Sequence, residues 1–209
     1  MEDLVSLPDS HNSTYLDPKD LKGLRKKRIL LHCCCAPCAS YVIKHLKTTY
    51  DITLFFYNPN IEPFEEYIKR KMDIEKLAAM QSLHNDGEVK ILTSEYDNHL
   101  FSDIVRPYVD EPEGGLRCRF CYEMRLRETA VKAKEFGFDI FGTTLSVSPH
   151  KDAKIINDCG ERLAHEYNIL YLSADFKKNN GYMQSVELSK KFGLYRQNYC
   201  GCYYSIKKS

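Results

Sequence analysis

Ile29-Leu30-Leu31-His32-Cys33-Cys34-Cys35-Ala36-Pro37-Cys38 carries an apolar run straight into four thiols within six residues. The apolar half reads as a buried strand. Pro37 suits a first helical turn, where a missing N–H costs nothing. Ala39, Val42, Ile43 and Leu46 then recur at helical spacing. Strand, tight turn and helix start place the cysteines at the carboxyl end of a strand, the side on which open α/β sheets bind ligands. A helix N-terminus favours thiolate over thiol, and thiolate is the form that ligates metal or attacks.

Outward from this stretch, strands and helices alternate. Further strands are expected at 52–57, 89–92, 140–146 and 169–172. A long helix is expected between the second and third, with Phe64, Ile68 and Met72 stepping by four, and a stop near Asn85-Asp86-Gly87. A shorter helix falls at about 100–107. Others follow Arg117, Asp152 and Gly181. This alternation predicts an α/β fold with a mostly parallel five-stranded sheet and helices on both faces. Residues 1–25 read as a polar N-terminal extension and 26–209 as a single α/β domain. The formal charge of +1 over 209 residues excludes a generally basic nucleic-acid coat, so any RNA contact must be local. No apolar run reaches the roughly 20 residues of a membrane span, and the polar start gives no signal peptide. The expected compartment is the cytoplasm, where nine cysteines point to metal or redox chemistry over a disulfide scaffold.

Cys118-x-x-Cys121, at a helix start, puts two sulfurs on one helix face. With Cys34-Cys35 it offers four thiolates, the count for a four-iron cluster or an all-cysteine zinc site. Adjacent cysteines are unusual ligands for structural zinc, which favours iron–sulfur. Arg117, Arg119, Arg125 and Arg127 surround the pair, either as a solvated face or to offset thiolate charge and hold phosphate. In Cys200-Gly201-Cys202, two virtual bonds of about 3.8 Å bring the Cα atoms near disulfide separation. Such a tight bridge is readily reduced, which suits a redox couple; a pair of metal ligands is the second reading. Cys159 falls in the stripe Ile156, Cys159, Leu163, Tyr167 and reads as core. Cys33 reads as packed, and Cys38 as undecided, with ligation of a further metal open to it. His32 reads as structural, and His150, beside Lys151, as a weaker proton-donor candidate. Neither a G-x-G-x-x-G nor a Walker loop is present, so ATP is not expected.

Taken together, His32–Cys38, Tyr57-Asn58-Pro59-Asn60-Ile61, Arg117–Tyr122, Thr143-Thr144-Leu145 with Ser148-Pro149, Asp175-Phe176-Lys177-Lys178 and Tyr195–Cys202 resemble the cobalamin-independent epoxyqueuosine reductases of QueH type. The resemblance spans about residues 28–204. It implies a fold like the adenine nucleotide α-hydrolase (HUP) superfamily, with a 4Fe-4S cluster on Cys34, Cys35, Cys118 and Cys121 in place of nucleotide. An additional mononuclear metal ion is compatible with it. It implies Cys200 and Cys202 as a redox-active disulfide. The substrate implied is tRNA carrying epoxyqueuosine at the wobble position, with an external electron donor. Phosphate contacts are expected from Arg117, Arg119, Lys177 and Lys178, and base stacking from Tyr57, Tyr122, Tyr182 and Tyr199. Two other readings are an iron–sulfur-dependent tRNA sulfur transferase, which the missing ATP loop disfavours, and a zinc-stabilised RNA-binding module, which the near-neutral charge disfavours.

Overall fold

The computed structural model describes residues 26–83 and 87–206. The expected N-terminal extension and the Asn85-Asp86 helix stop lie outside them. The chain runs β1 (Lys27–His32), α1 (Ala36–Leu46), β2 (Tyr50–Phe56), α2 (Phe64–Ser82), β3 (Lys90–Thr93), α3 (Asn98–Val105), α4 (Leu116–Glu135), β4 (Ile140–Thr143), α5 (Ala153–Tyr167), β5 (Leu170–Tyr171) and α6 (Gly181–Phe192). The five strands form one sheet in the order β3-β2-β1-β4-β5, every pair parallel. Ile29 of β1 faces Ile52 on one side and Ile140 on the other. The expected architecture is the one observed.

Parallel crossovers bury β1 on both faces, which is why its apolar run is continuous rather than alternating. Ile29 and Leu31 join one core with Val42, Ile43, Ile74 and Leu77, beneath α1 and α2. Leu30 joins the other with Phe141, Leu126, Ile156 and Leu163, beneath α4 and α5. The helices pack accordingly, α1 against α2 and α6, and α4 against α3 and α5. Between β1 and β4 the strand order reverses, and in such sheets ligands bind in the crevice outside the strand ends at that point.

Two expectations need correction. The fourth strand stops at Thr143 instead of reaching 146, and residues 145–147 make a single tight turn. Thr143 Oγ1 accepts the Leu145 N–H at 3.2 Å, which turns the chain out of the sheet. In α2, the step Phe64, Ile68, Met72 marks the edge of the buried face, and only Ile68 packs on the core. Phe64 is 51% and Met72 63% exposed, while Glu66, Tyr67, Arg70, Ile74, Leu77, Ala78 and Gln81 are buried. Phe64 instead stacks on Tyr67 and meets Tyr96 at a tilt at the rim. A charged pair, Glu66 and Arg70, stands on the buried face, and that disguised it in the sequence.

Candidate active site

Three strand ends build the floor. His32 Nε2 lies 3.1 Å from the Tyr57 carbonyl and Nδ1 3.1 Å from Thr143 Oγ1, so the ring ties β1 to both neighbours. Burial drives its pKa down to about 3, leaving a neutral imidazole, a structural role as expected. Thr144 N–H donates to the His32 carbonyl at 2.9 Å, and Asn58 Nδ2 to the Cys33 carbonyl at 2.9 Å. The Cys33–Cys35 turn is thereby closed from both sides.

Its sulfurs part ways. Cys33 packs in the α1/α2 core, as expected, with its Sγ 3.6 Å from the Phe55 carbonyl. Cys34 and Cys35 belong to the other core, with Cys121 and Cys202, and their own sulfurs are 4.0 Å apart. Cys118 and Cys121 come from the first turns of α4. That helix starts after Gly115, where the Glu111 carboxylate accepts the Leu116 N–H at 3.0 Å. Gly114 N–H donates to Cys118 Sγ at 3.2 Å. Cys200, Cys202, Cys118 and Cys121 line one recess with Asn60, Phe101, Tyr122, Arg125 and Lys151. Cys34, Cys35, Cys38 and Cys200 line an adjoining, more open one with Lys151, Tyr182, Arg196 and Gln197. Cys200 and Lys151 belong to both.

The electrostatics divide these thiols into two kinds. The contact with Cys35 and then burial push Cys34 well up. The bond from Cys34 pulls Cys35 down, but Cys38 and burial together outweigh it and take Cys35 to about 11. Burial likewise raises Cys121 to about 11. The helix end that should favour thiolate is thus overridden by desolvation. Cys200 behaves oppositely: the hydrogen bond from Cys202, then the Lys151 ammonium, hold it well below the usual thiol range. Its Sγ lies 3.0 Å from Ser205 Oγ. The same contact with Cys200, then burial, push Cys202 up.

Three cations sit among the cysteines. Arg125 is buried and bonded to the Cys121 carbonyl at 3.0 Å, and its charge would gain from Cys121 and Cys34 once these are ionised. Lys151 is held in its charged form by Cys34 and Cys200. Arg70 is 1% exposed, with Cys35 and Cys34 upholding its charge. Arg70 went unrecognised in the sequence, since an arginine in a polar helix reads as solvated. The proton-donor candidate His150 is exposed and lines the open recess, while its neighbour Lys151 lines both recesses. Nothing in Ser148-Pro149-His150-Lys151 distinguishes the two.

Other expected contacts change. Arg117 is buried, and its guanidinium donates to the Tyr108, Val109 and Glu111 carbonyls while lying over Tyr204, so it is not free for phosphate. Lys177 donates to the Lys151 carbonyl at 2.9 Å and pairs with Asp175. Arg119 and Lys178 remain exposed. Tyr57 and Tyr122 are core residues, whereas Tyr203 and Tyr204, absent from the stacking candidates, are exposed beside Cys202. Cys159 is half-buried between the buried Ile156 and Leu163, in the stripe expected of it.

From 29 to 208 the sequence matches the family described as epoxyqueuosine reductase QueH. The chain belongs to this family. It is 44% identical over 179 residues to the epoxyqueuosine reductase QueH of Streptococcus pyogenes serotype M1, covering 86% of this chain and 70% of that protein. To the same-named protein of Staphylococcus epidermidis it is 41% identical, covering 88% and 78%. To that of Thermotoga maritima it is 36% identical, covering 85% and 90%. Family membership makes the chain an oxidoreductase. Among solved structures, a predicted subunit of tRNA methyltransferase from Methanocaldococcus jannaschii aligns at TM-score 0.46 and 15% identity, over 78% of this chain and 74% of that one.

The donor set can be weighed against an iron–sulfur cluster. Among the described residues, no three His, Cys, Asp or Glu side chains stand ready to hold one metal ion. A four-iron cluster asks for something different, one thiolate per iron and hence wider spacing. The raised thiols of Cys34, Cys35 and Cys121 would ionise on metal binding, since a metal displaces the proton. Arg70, Arg125 and Lys151 would offset the charge so created. The buried Asn60 Oδ1, which lines the recess with Cys118 and Cys121, has no partner. The residues present fit such a cluster. No helix among the described residues is long and apolar enough to cross a membrane.

Proposed function

We propose that this chain removes the epoxide oxygen of epoxyqueuosine in a tRNA anticodon loop, giving queuosine. The observation that carries the reading is the meeting of three cysteine segments, from β1, α4 and the tail after α6, beside three buried or half-buried cations at one sheet edge. Cys34, Cys35, Cys118 and Cys121 would hold a 4Fe-4S cluster, and Cys38, on the open recess beside Cys35, would serve a further mononuclear metal ion. Such a cluster would supply single electrons and a Lewis-acidic iron.

Removing the oxygen consumes two electrons and two protons and yields an alkene and water. In closing to a disulfide, the Cys200 thiolate and Cys202 thiol supply the two electrons and one proton, and the Lys151 ammonium supplies the second proton, so the reaction balances. An external donor of two electrons and two protons then reopens the bridge. Lys151 Nζ holds a proton between the two recesses and keeps Cys200 ionised. The open recess, rimmed by Tyr182 and Arg196, suits an unstacked base, and anticodon-loop bases are the kind that can be splayed out and stacked. The test is anaerobic purification with iron and sulfide analysis, followed by turnover of epoxyqueuosine-containing tRNA under a strong reductant. Brown protein with four irons that forms queuosine is expected; a colourless protein holding one zinc and forming none overturns the reading.

A further inference from the structure

The tail that carries Cys200 and Cys202 does not stand alone. It runs back along one face of α2. Lys76 Nζ donates to the Gly193 carbonyl at 2.9 Å, and Asp73 Oδ2 accepts the Tyr195 N–H at 3.2 Å. Glu66 Oε2 accepts the Tyr195 hydroxyl at 2.9 Å. Just before the helix, Glu62 donates its N–H to the Gly201 carbonyl at 2.8 Å, and its own carbonyl accepts the Tyr199 hydroxyl. Arg70 holds the middle. Nη1 donates to the Cys200 carbonyl at 3.1 Å and Nη2 to the Tyr199 carbonyl at 3.3 Å, while Nε is paired with Glu66 Oε1 at 2.7 Å. Its guanidinium also faces the Tyr199 ring, 5.2 Å from the centroid.

A buried ion pair is weak evidence for stability, since an apolar side chain of similar volume would often serve as well. What a guanidinium adds is a rigid fork that holds two acceptors in fixed relation. Here the two acceptors are consecutive carbonyls, one of them belonging to Cys200. The loop is packed hard on this fork: a Cβ at Gly201, whose φ is +116°, would lie 3.1 Å from Arg70 Nη1 and 2.9 Å from Ile61.

We propose that Arg70 is the positioning residue of the Cys200/Cys202 pair, its fork on the Tyr199 and Cys200 carbonyls holding the backbone in the curvature from which the bridge closes. This rests on the reading of that pair as the redox couple. The clamp removes freedom from the open dithiol, so closing the bridge costs less entropy, as in any preorganised ring closure. Losing it disfavours the bridge. The groups that most lower Cys200 are Cys202, Lys151 and Ser205, whereas Arg70 meets the tail through two backbone carbonyls, so it acts by geometry.

The test equilibrates anaerobic holoenzyme in glutathione buffers, where bridge plus two glutathione thiols exchange with dithiol plus glutathione disulfide. Acid trapping and mass spectrometry then read the Cys200–Cys202 bridge. Arg70→Gln is expected to lower the equilibrium constant for bridge formation at least tenfold, about 30 mV for this two-electron couple. Arg70→Lys keeps the charge without the fork and is expected to fall with it. If Lys restores the wild-type value while Gln does not, the effect is one of charge and the clamp is overturned; no shift in either variant overturns it too. If Arg70→Gln fails to fold, Glu66→Gln loosens the same fork and is expected to shift the constant the same way by a smaller factor, with no shift counting against the clamp. A wild-type enzyme that forms no bridge in any buffer would instead remove the redox reading itself, which separates the two failures.

Discussion

The Cys33–Cys35 turn and the Cys200–Cys202 tail bring sulfur to the same recesses by opposite means. The turn sits at the end of the central strand and is closed by main-chain and amide bonds from β2 and β4. The tail is irregular and hangs on side chains of α2. The difference extends to the chemistry: the turn's thiols are raised by burial and by one another, whereas Cys200 is lowered by Cys202 and Lys151. On the proposed reading, regular structure fixes the ligands of the turn, and side chains of α2 fix the backbone of the pair that makes and breaks a bond.

The largest effect expected from this contrast is at the turn and its α4 counterpart. Cys34→Ala or Cys121→Ala should lose most of the bound iron and all reductase activity, measured by iron and sulfide analysis; full iron content in either variant would break the division. Next, Cys200→Ser or Cys202→Ser should abolish multiple turnover, a loss of about a hundredfold or more, while iron content and visible spectrum stay near wild type. A missing cluster in these variants would move the tail cysteines into the ligand set. Gly201→Ala comes third. Its left-handed φ and the contacts with Ile61 and Arg70 should cost about 1–3 kcal/mol of stability by denaturant titration and slow turnover.

Lys151→Gln sharpens the electrostatic half of the contrast. Cys200 is held low partly by the ammonium, so its thiolate persists to lower pH than an ordinary thiol's. Removing the ammonium should move the midpoint of its alkylation–pH profile upward, read by iodoacetamide labelling and mass spectrometry. An unmoved midpoint would assign the whole depression to Cys202. The smallest effects belong to the surface. Arg119→Gln and Lys178→Gln should each weaken tRNA binding modestly and reduce the slope of log affinity against log salt by about one. Arg117→Gln should leave that slope unchanged and lower stability, because its guanidinium serves the carbonyls of 108–111.

The sequence revealed the parts of this molecule that regular structure controls. The apolar run of β1, the helical spacing after Pro37 and the three-residue step from Cys118 to Cys121 each follow from one backbone period, and each stands where it was expected. What it hid were charges with buried destinations. Arg70 and Glu66 sit four apart in a polar helix, a spacing that on most helices means an exposed pair; only the tail folding back over α2 turns them inward. Arg117 looked like a phosphate ligand for the same reason, until the loop before α4 wrapped its carbonyls around it. Lys151 and His150 are sequence neighbours, and tertiary placement alone brings the first to both recesses and the second to one.

Side chains alternate along a strand, so Ile29 and Leu31 look one way and Leu30 the other, and the alternation delivers Cys33 to the first side and Cys34 to the second. The three consecutive thiols are not interchangeable spares. Inserting one residue into β1 while the sheet keeps its pairing would hand Cys33 to the recess and turn Cys34 into the helical layer. The composition and charge of the chain's reactive edge would read as before, with the wrong sulfur at each address.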